Sequence, residues 1–343
     1  MPDVTIEALS TYSPQGRMTK FDLAELSGIP ATVWEEKFGF TEKRVSAADE
    51  HVSDMGLAAA GALFQSLPEA RESVGAVIYC GSSNKDFGMW SCASFLAHEL
   101  GLRNAYAFEI MAHCAGFLLA LSTAKSILLA DDSIDSVLLV AASEDSTLVD
   151  FSDIASKSVF NFGDGAAAAL VTRSGGGSRI LSHAAITDGQ MHNSLLVPAG
   201  GTVEPASLDS VRRGRHSAQV NPTISLRDSV TPIFVRNIVD AAHTAAERAD
   251  LDLDQIDHVV VQNQIPSVHR GIVEGLGLPD GRVSYLRGYG HMSSLDPLFA
   301  LRIGAEENRY RDGDKILLLA AGLGYTWSAM VLEWSSSTAV HSV

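Results

Sequence analysis

One cysteine, Cys114, stands ahead of a helix-like stretch that is apolar on nearly every side, Phe108 to Ser122, FEIMAHCAGFLLALS. A helix N-terminus aims unpaired N–H groups and a partial positive charge at whatever sits there, which suits a sulfur nucleophile. The same residue type is also a common core filler that packs as a small hydrophobe. A cysteine that transfers acyl groups needs a base, a group that orients the base, and N–H donors where the tetrahedral oxyanion forms. His291 is a candidate base, since imidazole titrates near neutral pH, and Asp296, five residues on, is a candidate orienter. Asp296 directly precedes Pro297, so it also reads as a helix N-cap with proline at N1, worth about 1 kcal/mol without any catalysis. His291 equally reads as a structural histidine bonded to a backbone carbonyl. The Cys114 N–H and the glycine-rich turn at Gly324 are candidates for the oxyanion hole, because glycine lets a backbone come close to a ligand.

These residues lie far apart in the chain, so the elements between them must bring them together. Segment 53–67 reads as a buried helix, 74–80 as a strand, 91–100 as a helix, 106–110 as a strand, 114–129 as the Cys114 helix and 136–142 as a strong strand. The run FNFGDGAAAALV (160–171) is a glycine turn that feeds a buried strand. After a stretch of different character at about 186–228, helix 233–249, strand 256–262, a helix near 268–276, helix 297–308 and strand 315–321 follow. Cys114, a buried helix and then DSVLLVAA (135–142) rhyme with Pro297, a helix and then DKILLLAA (314–321). A weak internal duplication is expected, with halves 1–177 and 178–343 and a cap insertion in the second. Packed about a pseudo-twofold, the two helix starts would face each other and set His291 and Asp296 beside the thiol.

At 343 residues, 46% hydrophobic and 19% charged, the chain can bury a large core and exceeds the usual size of one domain. Three cysteines without CxxC or Cys/His spacing argue against a disulfide framework or structural zinc. The N-terminus lacks the pattern of a signal peptide and no apolar run is expected to reach membrane-spanning length, so a cytoplasmic protein is expected. A net charge of −16 disfavours nucleic acid as a partner. Gly163-Asp-Gly165 lacks the spacing of a nucleotide loop, and His113, His258 and His269 have no spacing partner for a metal.

His113-Cys114-Ala-Gly-Phe117, Phe162-Gly-Asp-Gly-Ala166, Tyr289-Gly-His291 and Gly322-Leu-Gly-Tyr-Thr-Trp327, in that order, resemble the ketoacyl synthase III family of the thiolase superfamily over nearly the whole chain. The resemblance implies an α/β class, a duplicated five-layer αβαβα fold, a homodimer, and a tunnel for the pantetheine arm of acyl-CoA or acyl carrier protein. It implies acyl thioesters as substrates and no separate cofactor.

The departures from the family pattern redirect the chemistry. Condensing members use a Cys–His–Asn set; here the His position after Val259-Val-Val261 reads Gln262, with Asn263 beside it, and the Asn position after Tyr289-Gly290 reads His291. Gln262 can donate a hydrogen bond but cannot exchange a proton near neutral pH. Cys114, His291 and Asp296 look like the Cys-His-Asp set of the acyltransferase branch, whose members move acyl groups onto hydroxyls, amines or carrier thiols in polyketide and antibiotic biosynthesis. By the same resemblance Lys37 matches a family arginine near the CoA entrance and Trp34 an adenine-contacting tryptophan displaced by one residue. Lys157 and the arginines at 212–215 are placed to meet phosphates or a carrier helix, Trp90 with Met89 to shape the acyl pocket, and Asn263 to contact substrate. A decarboxylating condensing enzyme and a non-catalytic partner subunit are the alternatives.

Overall fold

The computed structural model describes residues 3–173 and 175–343. Its first half comprises β1 (Val4–Tyr12), β2 (Gly16–Thr19), α1 (Lys20–Ser27), α2 (Ala31–Phe38), β3 (Glu42–Val45), α3 (Val52–Ser66), α4 (Ala70–Ser73), β4 (Val74–Tyr79), α5 (Cys92–Glu99), β5 (Tyr106–Glu109), α6 (Gly116–Ala130), β6 (Ser136–Glu144) and β7 (Asp164–Arg173). The second comprises β8 (Ser178–Thr187), β9 (Leu195–Leu196), α7 (Leu208–Arg212), β10 (Gln219–Val220), α8 (Thr231–Arg248), β11 (His258–Val261), α9 (Pro266–Leu276), β12 (Val283–Ser284), α10 (Asp296–Glu306), β13 (Lys315–Gly322), β14 (Thr326–Glu333) and β15 (Ala339–Ser342).

The strand order is β5-β4-β6-β7-β1-β8-β14-β13-β11-β12, so each half repeats the other in reverse across the β1–β8 seam. That seam is narrow: only Thr5 with Arg179 and Ile6 with Ser178 pair there. In both halves the inner strands are antiparallel and the outer ones parallel. Parallel outer strands require crossover helices, which α5 and α6 supply in the first half and α9 and α10 in the second.

Side-chain alternation divides the core into three slabs. Val137, Leu139 and Ala141 of β6 face α6 and α10, and Leu138, Val140 and Ala142 face α3 and α5. Ile316, Leu318 and Ala320 of β13 face the same α6–α10 slab, and Leu317, Leu319 and Ala321 face α8 and α9. The layers are therefore α3/α5, half-sheet, α6/α10, half-sheet, α8/α9: the five-layer thiolase fold. A helix sandwiched between two sheets must be apolar on both sides, which explains the composition of α6. It also corrects one expectation, because His113–Ala130 is long and apolar enough to cross a membrane by length and composition. Its Phe117, Leu118, Leu121 and Leu128 are instead buried in the middle of the protein.

The cap begins at 188 rather than 186, since Ile186 and Thr187 still pair with Trp327 and Thr326. Beyond them, Leu195 and Ala218 pack with Trp34, Phe40 and Phe160, so the cap leans on α2 and on the loop before β7.

Candidate active site

The Cys114 turn is a single 3-10 turn, His113–Ala115, that runs into α6. His113 takes a left-handed φ of 48°, uncommon without glycine, and this reverses the chain between β5 and α6. A Cβ on Gly116 would lie 2.7 Å from the Cys80 carbonyl oxygen, so glycine lets this helix start rest on the end of β4. The opposite half repeats the device: the 3-10 turn Ser293–Leu295, with Ser293 at φ 53°, runs into α10.

His291 is held from the other half's loop. Its N–H donates to the Asn161 carbonyl at 2.8 Å and its carbonyl accepts the Gly163 N–H at 3.0 Å, forming a bridge next to Phe162. That loop is anchored by Lys43, fully buried, whose ammonium donates to the carbonyls of Phe160 at 2.8 Å and Phe162 at 2.6 Å. Burial pushes Lys43 down to about 8, against the opposing pull of Asp164.

Cys114, His291 and Asp296 meet as the sequence suggested. The Cys114 Sγ is 3.1 Å from Nε2 of His291, and Nδ1 of His291 is 2.6 Å from Oδ2 of Asp296. Asp296 has no exposed surface, and its carboxylate also accepts the N–H of Met292 at 2.9 Å and of Asn263 at 2.8 Å. An acceptor-only carboxylate fixes Nδ1 as the protonated ring nitrogen and leaves Nε2 toward the sulfur. Burial works against a charged His291, but Cys114 and Asp296 outweigh it and hold the imidazole well above its usual range. The arrangement can move a proton between a sulfur and an incoming or departing group. Asp296 does not cap its helix as proposed: it is the first residue of α10, Leu295 occupies the cap, and its carboxylate turns back to His291, Met292 and Asn263.

The remaining candidates divide. Gln262 is buried on the wall of the cavity it shares with Cys114, and its Oε1 accepts the Ala321 N–H, which leaves the amide NH2 as its free end. Asn263 lines the same cavity, but its Nδ2 donates to the Gly290 carbonyl at 2.5 Å, so it ties the His291 loop in place besides facing substrate space. Gly324 and Cys114 line one chamber. Trp34 is overturned as a ligand contact: it is fully buried, stacked 5.9 Å from Phe160, with the Phe38 ring tilted against it at 4.6 Å. Lys37 and Lys157 are exposed and line neither cavity at Cys114. Trp90 packs against Phe87 and Phe95 and likewise lines neither, so within its own chain it does not shape the acyl pocket. The arginine cluster is engaged internally through Arg215, Arg213 and Glu204.

Two cavities meet at Cys114 and His291. One, of about 200 Å³, is walled by Val159, Val230, Phe234, Val268 and Tyr325 together with Gln262 and Asn263. The other, of about 420 Å³, carries Ser82, Ser83, His113, Asp145, His192 and Ser293. None of these six was singled out from the sequence as a substrate contact. Asp145 had one legible signal: it follows the carboxyl end of a buried strand, where α/β folds gather their ligands. Among the described residues, no cluster of three or more His, Cys, Asp or Glu side chains is disposed to hold a metal.

Residues 108–189 match the family model of 3-oxoacyl-[acyl-carrier-protein] synthase III, and residues 246–334 match the model of its C-terminal part. A beta-ketoacyl-[acyl-carrier-protein] synthase III of Symbiobacterium thermophilum is 30% identical over 332 residues, 96% of this chain and 98% of that one. The crystal structure of the Thermus thermophilus beta-ketoacyl-[acyl carrier protein] synthase III superposes with a TM-score of 0.83 at 30% identity, covering 97% of this chain and 99% of that one. ChlB3, an acyltransferase, shares the fold with a TM-score of 0.82 at 23% identity, over 98% and 99% of the two chains. With matched segments in both halves and alignment along nearly its full length, the chain belongs to the 3-oxoacyl-[acyl-carrier-protein] synthase III family of thiolase-fold enzymes.

Proposed function

We propose that this enzyme is an acyltransferase that carries its acyl group on Cys114 and delivers it from acyl-CoA or acyl carrier protein to a hydroxyl, amine or thiol. The observation that carries this reading is the His291–Asp296 pair bonded to the thiol, at the place where condensing relatives are expected to present an asparagine. An asparagine donates hydrogen bonds but takes no proton; an imidazole backed by a buried carboxylate takes one.

In the first half-reaction the Cys114 sulfur attacks the thioester carbonyl, the bond to the departing thiol breaks, and the His291 imidazolium protonates that leaving sulfur. In the second, the acceptor heteroatom attacks the acyl-Cys114 carbonyl while Nε2 of His291 takes its proton, and Cys114 leaves as thiolate beside the new imidazolium. Asp296 holds the ring in the correct tautomer and offsets its charge in both steps. The Cys114 N–H and the Gly324 turn are assigned the oxyanion.

The relatives' names favour a second reading, decarboxylative condensation, with Gln262 and His291 replacing the usual donors. Intact-mass spectrometry after mixing with acyl-CoA should show an adduct on Cys114 that is discharged by a heteroatom acceptor without carbon dioxide release. Carbon dioxide release with a new C–C bond from a malonyl thioester would establish condensation instead. No adduct with any thioester would leave a carrier-binding homologue.

A further inference from the structure

We propose that Asp145 reads a hydrogen-bond-donating group, a hydroxyl or an ammonium, on the substrate held in the larger chamber beside Cys114. The inference rests on acyl loading of Cys114; only its second experimental arm needs transfer to a heteroatom.

The two cavities at the thiol differ in chemistry. The smaller is walled largely by aliphatic and aromatic side chains. The larger has an apolar side that includes Leu148, Leu196 and Val197, and it presents Ser82, Ser83, His113, Asp145, His192 and Ser293 around the same sulfur and imidazole. The Ser82 hydroxyl donates to one oxygen of Asp145. A carboxyl group offers about four lone-pair sites, so the chamber side of Asp145 retains acceptor capacity. Among the described residues no lysine or arginine forms an ion pair with it. Burial raises the Asp145 carboxyl above its usual range and lowers His113 below its own, while the His291 imidazole in the same chamber pulls Asp145 the other way without reversing the shift.

A chamber of this kind disfavours a terminal carboxylate or phosphate, which would face Asp145 while the His291 imidazole is already bonded to Asp296 and Cys114. An alkyl chain would cover the Asp145 oxygens and leave them unmet, an uncompensated desolvation. A hydroxyl donates to the carboxyl in either protonation state; an ammonium pairs with the carboxylate and favours its ionised form. The donating group can belong to the acyl chain or to the acceptor, since both must reach the carbonyl on Cys114.

The test has two arms, both read by rapid-quench intact-mass spectrometry on the full-length enzyme. In the loading arm, acylation rates of Cys114 are compared for butyryl-CoA, 4-hydroxybutyryl-CoA and 4-aminobutyryl-CoA. In the acceptor arm, discharge of butyryl-Cys114 is compared for 1-propanol and propylamine against 2-amino-1,3-propanediol. Wild type should favour the polar probe by at least ~10-fold in one arm, which also identifies the source of the donor. Asp145→Leu should collapse that ratio toward one, and Asp145→Asn should keep a hydroxyl preference while losing an ammonium one. Because ratios are read, a general loss of activity in one variant does not mimic the effect, and Asn, close in size to Asp, keeps the test alive if Leu misfolds. No preference in either arm of wild type, or a ratio unchanged in Asp145→Leu, overturns the proposal. A loading preference with no discharge by any acceptor would instead sink the acyltransferase reading and leave Asp145 standing.

Discussion

The two helix starts that meet at the active site share a backbone and differ in their side chains. Ala112-His113-Cys114-Ala115-Gly116 and Met292-Ser293-Ser294-Leu295-Asp296 each place a left-handed residue, then a 3-10 turn, then a buried helix in the central layer. In this register Cys114 matches Ser294. The first is a thiol facing two cavities; the second points back into the protein, its hydroxyl donating to the Cys80 carbonyl at 2.9 Å. Gly116 matches Asp296: one half needs no side chain there, so that its helix can rest on β4, and the other needs a carboxylate. The same turn thus presents a thiol on one side and, on the other, the carboxylate that holds the imidazole facing that thiol.

Several substitutions break that division of labour, and Cys114→Ala should do so most completely, abolishing the acyl adduct seen by intact mass. His291→Ala should still load acyl groups, more slowly, but fail to pass them on; transfer at the wild-type rate would remove His291 from the mechanism.

Asp296→Asn should lower the transfer step by about 10²–10⁴-fold, the range of a lost base-orienting carboxylate. It should also move the pH profile. Transfer needs neutral imidazole in the acyl-enzyme, so its rate climbs with pH through the His291 titration. The Asp296 charge raises that titration, so removing it must carry the acid limb of single-turnover discharge toward lower pH. A limb that stays in place would mean Asp296 acts only by holding structure.

Gly116→Ala should cost about 1–3 kcal/mol, because a Cβ 2.7 Å from the Cys80 oxygen forces the helix start off β4. Thermal denaturation and the loading rate should fall together, and an unchanged melting temperature would show that the turn relaxes freely. The smallest effect is expected from Ser294→Ala, about 1 kcal/mol for one buried hydrogen bond, with loading and transfer retained because Ser294 lines neither cavity. A large loss of transfer there would mean that the second helix start does more than carry Asp296.

How far the sequence could be read depended on how local the signal was. α3, α5, α6, β6 and β13 are legible because each has a strong periodic or continuous apolar pattern. β1, β8 and β14 carry no such signal in VTIEALSTY, SRILSHAAIT and TWSAMVLE, yet they form the middle of the sheet, because helices distant in the chain cover its faces and supply the burial. Trp34 misled because the resemblance offered it as an adenine contact, whereas its environment, a stack on Phe160 and a tilted contact with Phe38, comes from a loop more than a hundred residues away and a helix neighbour. Lys43 stayed invisible, and Asp145 had only its place after β6, for the same reason: a charged residue looks solvated until the partners that bury it are known.

The candidate thiol, the internal rhyme and the presence of His291 after Tyr289-Gly290 are legible in the sequence, since a thiol at a helix start, a repeated pattern and a residue identity are local properties. That Nε2 reaches the sulfur, that Asp296 turns from its own helix to the imidazole, and that the thiol opens on two cavities, the larger of which carries a carboxylate, came from the tertiary structure. Those are distances between chain segments up to 177 residues apart, and they are set by how two half-sheets clamp a shared helical layer.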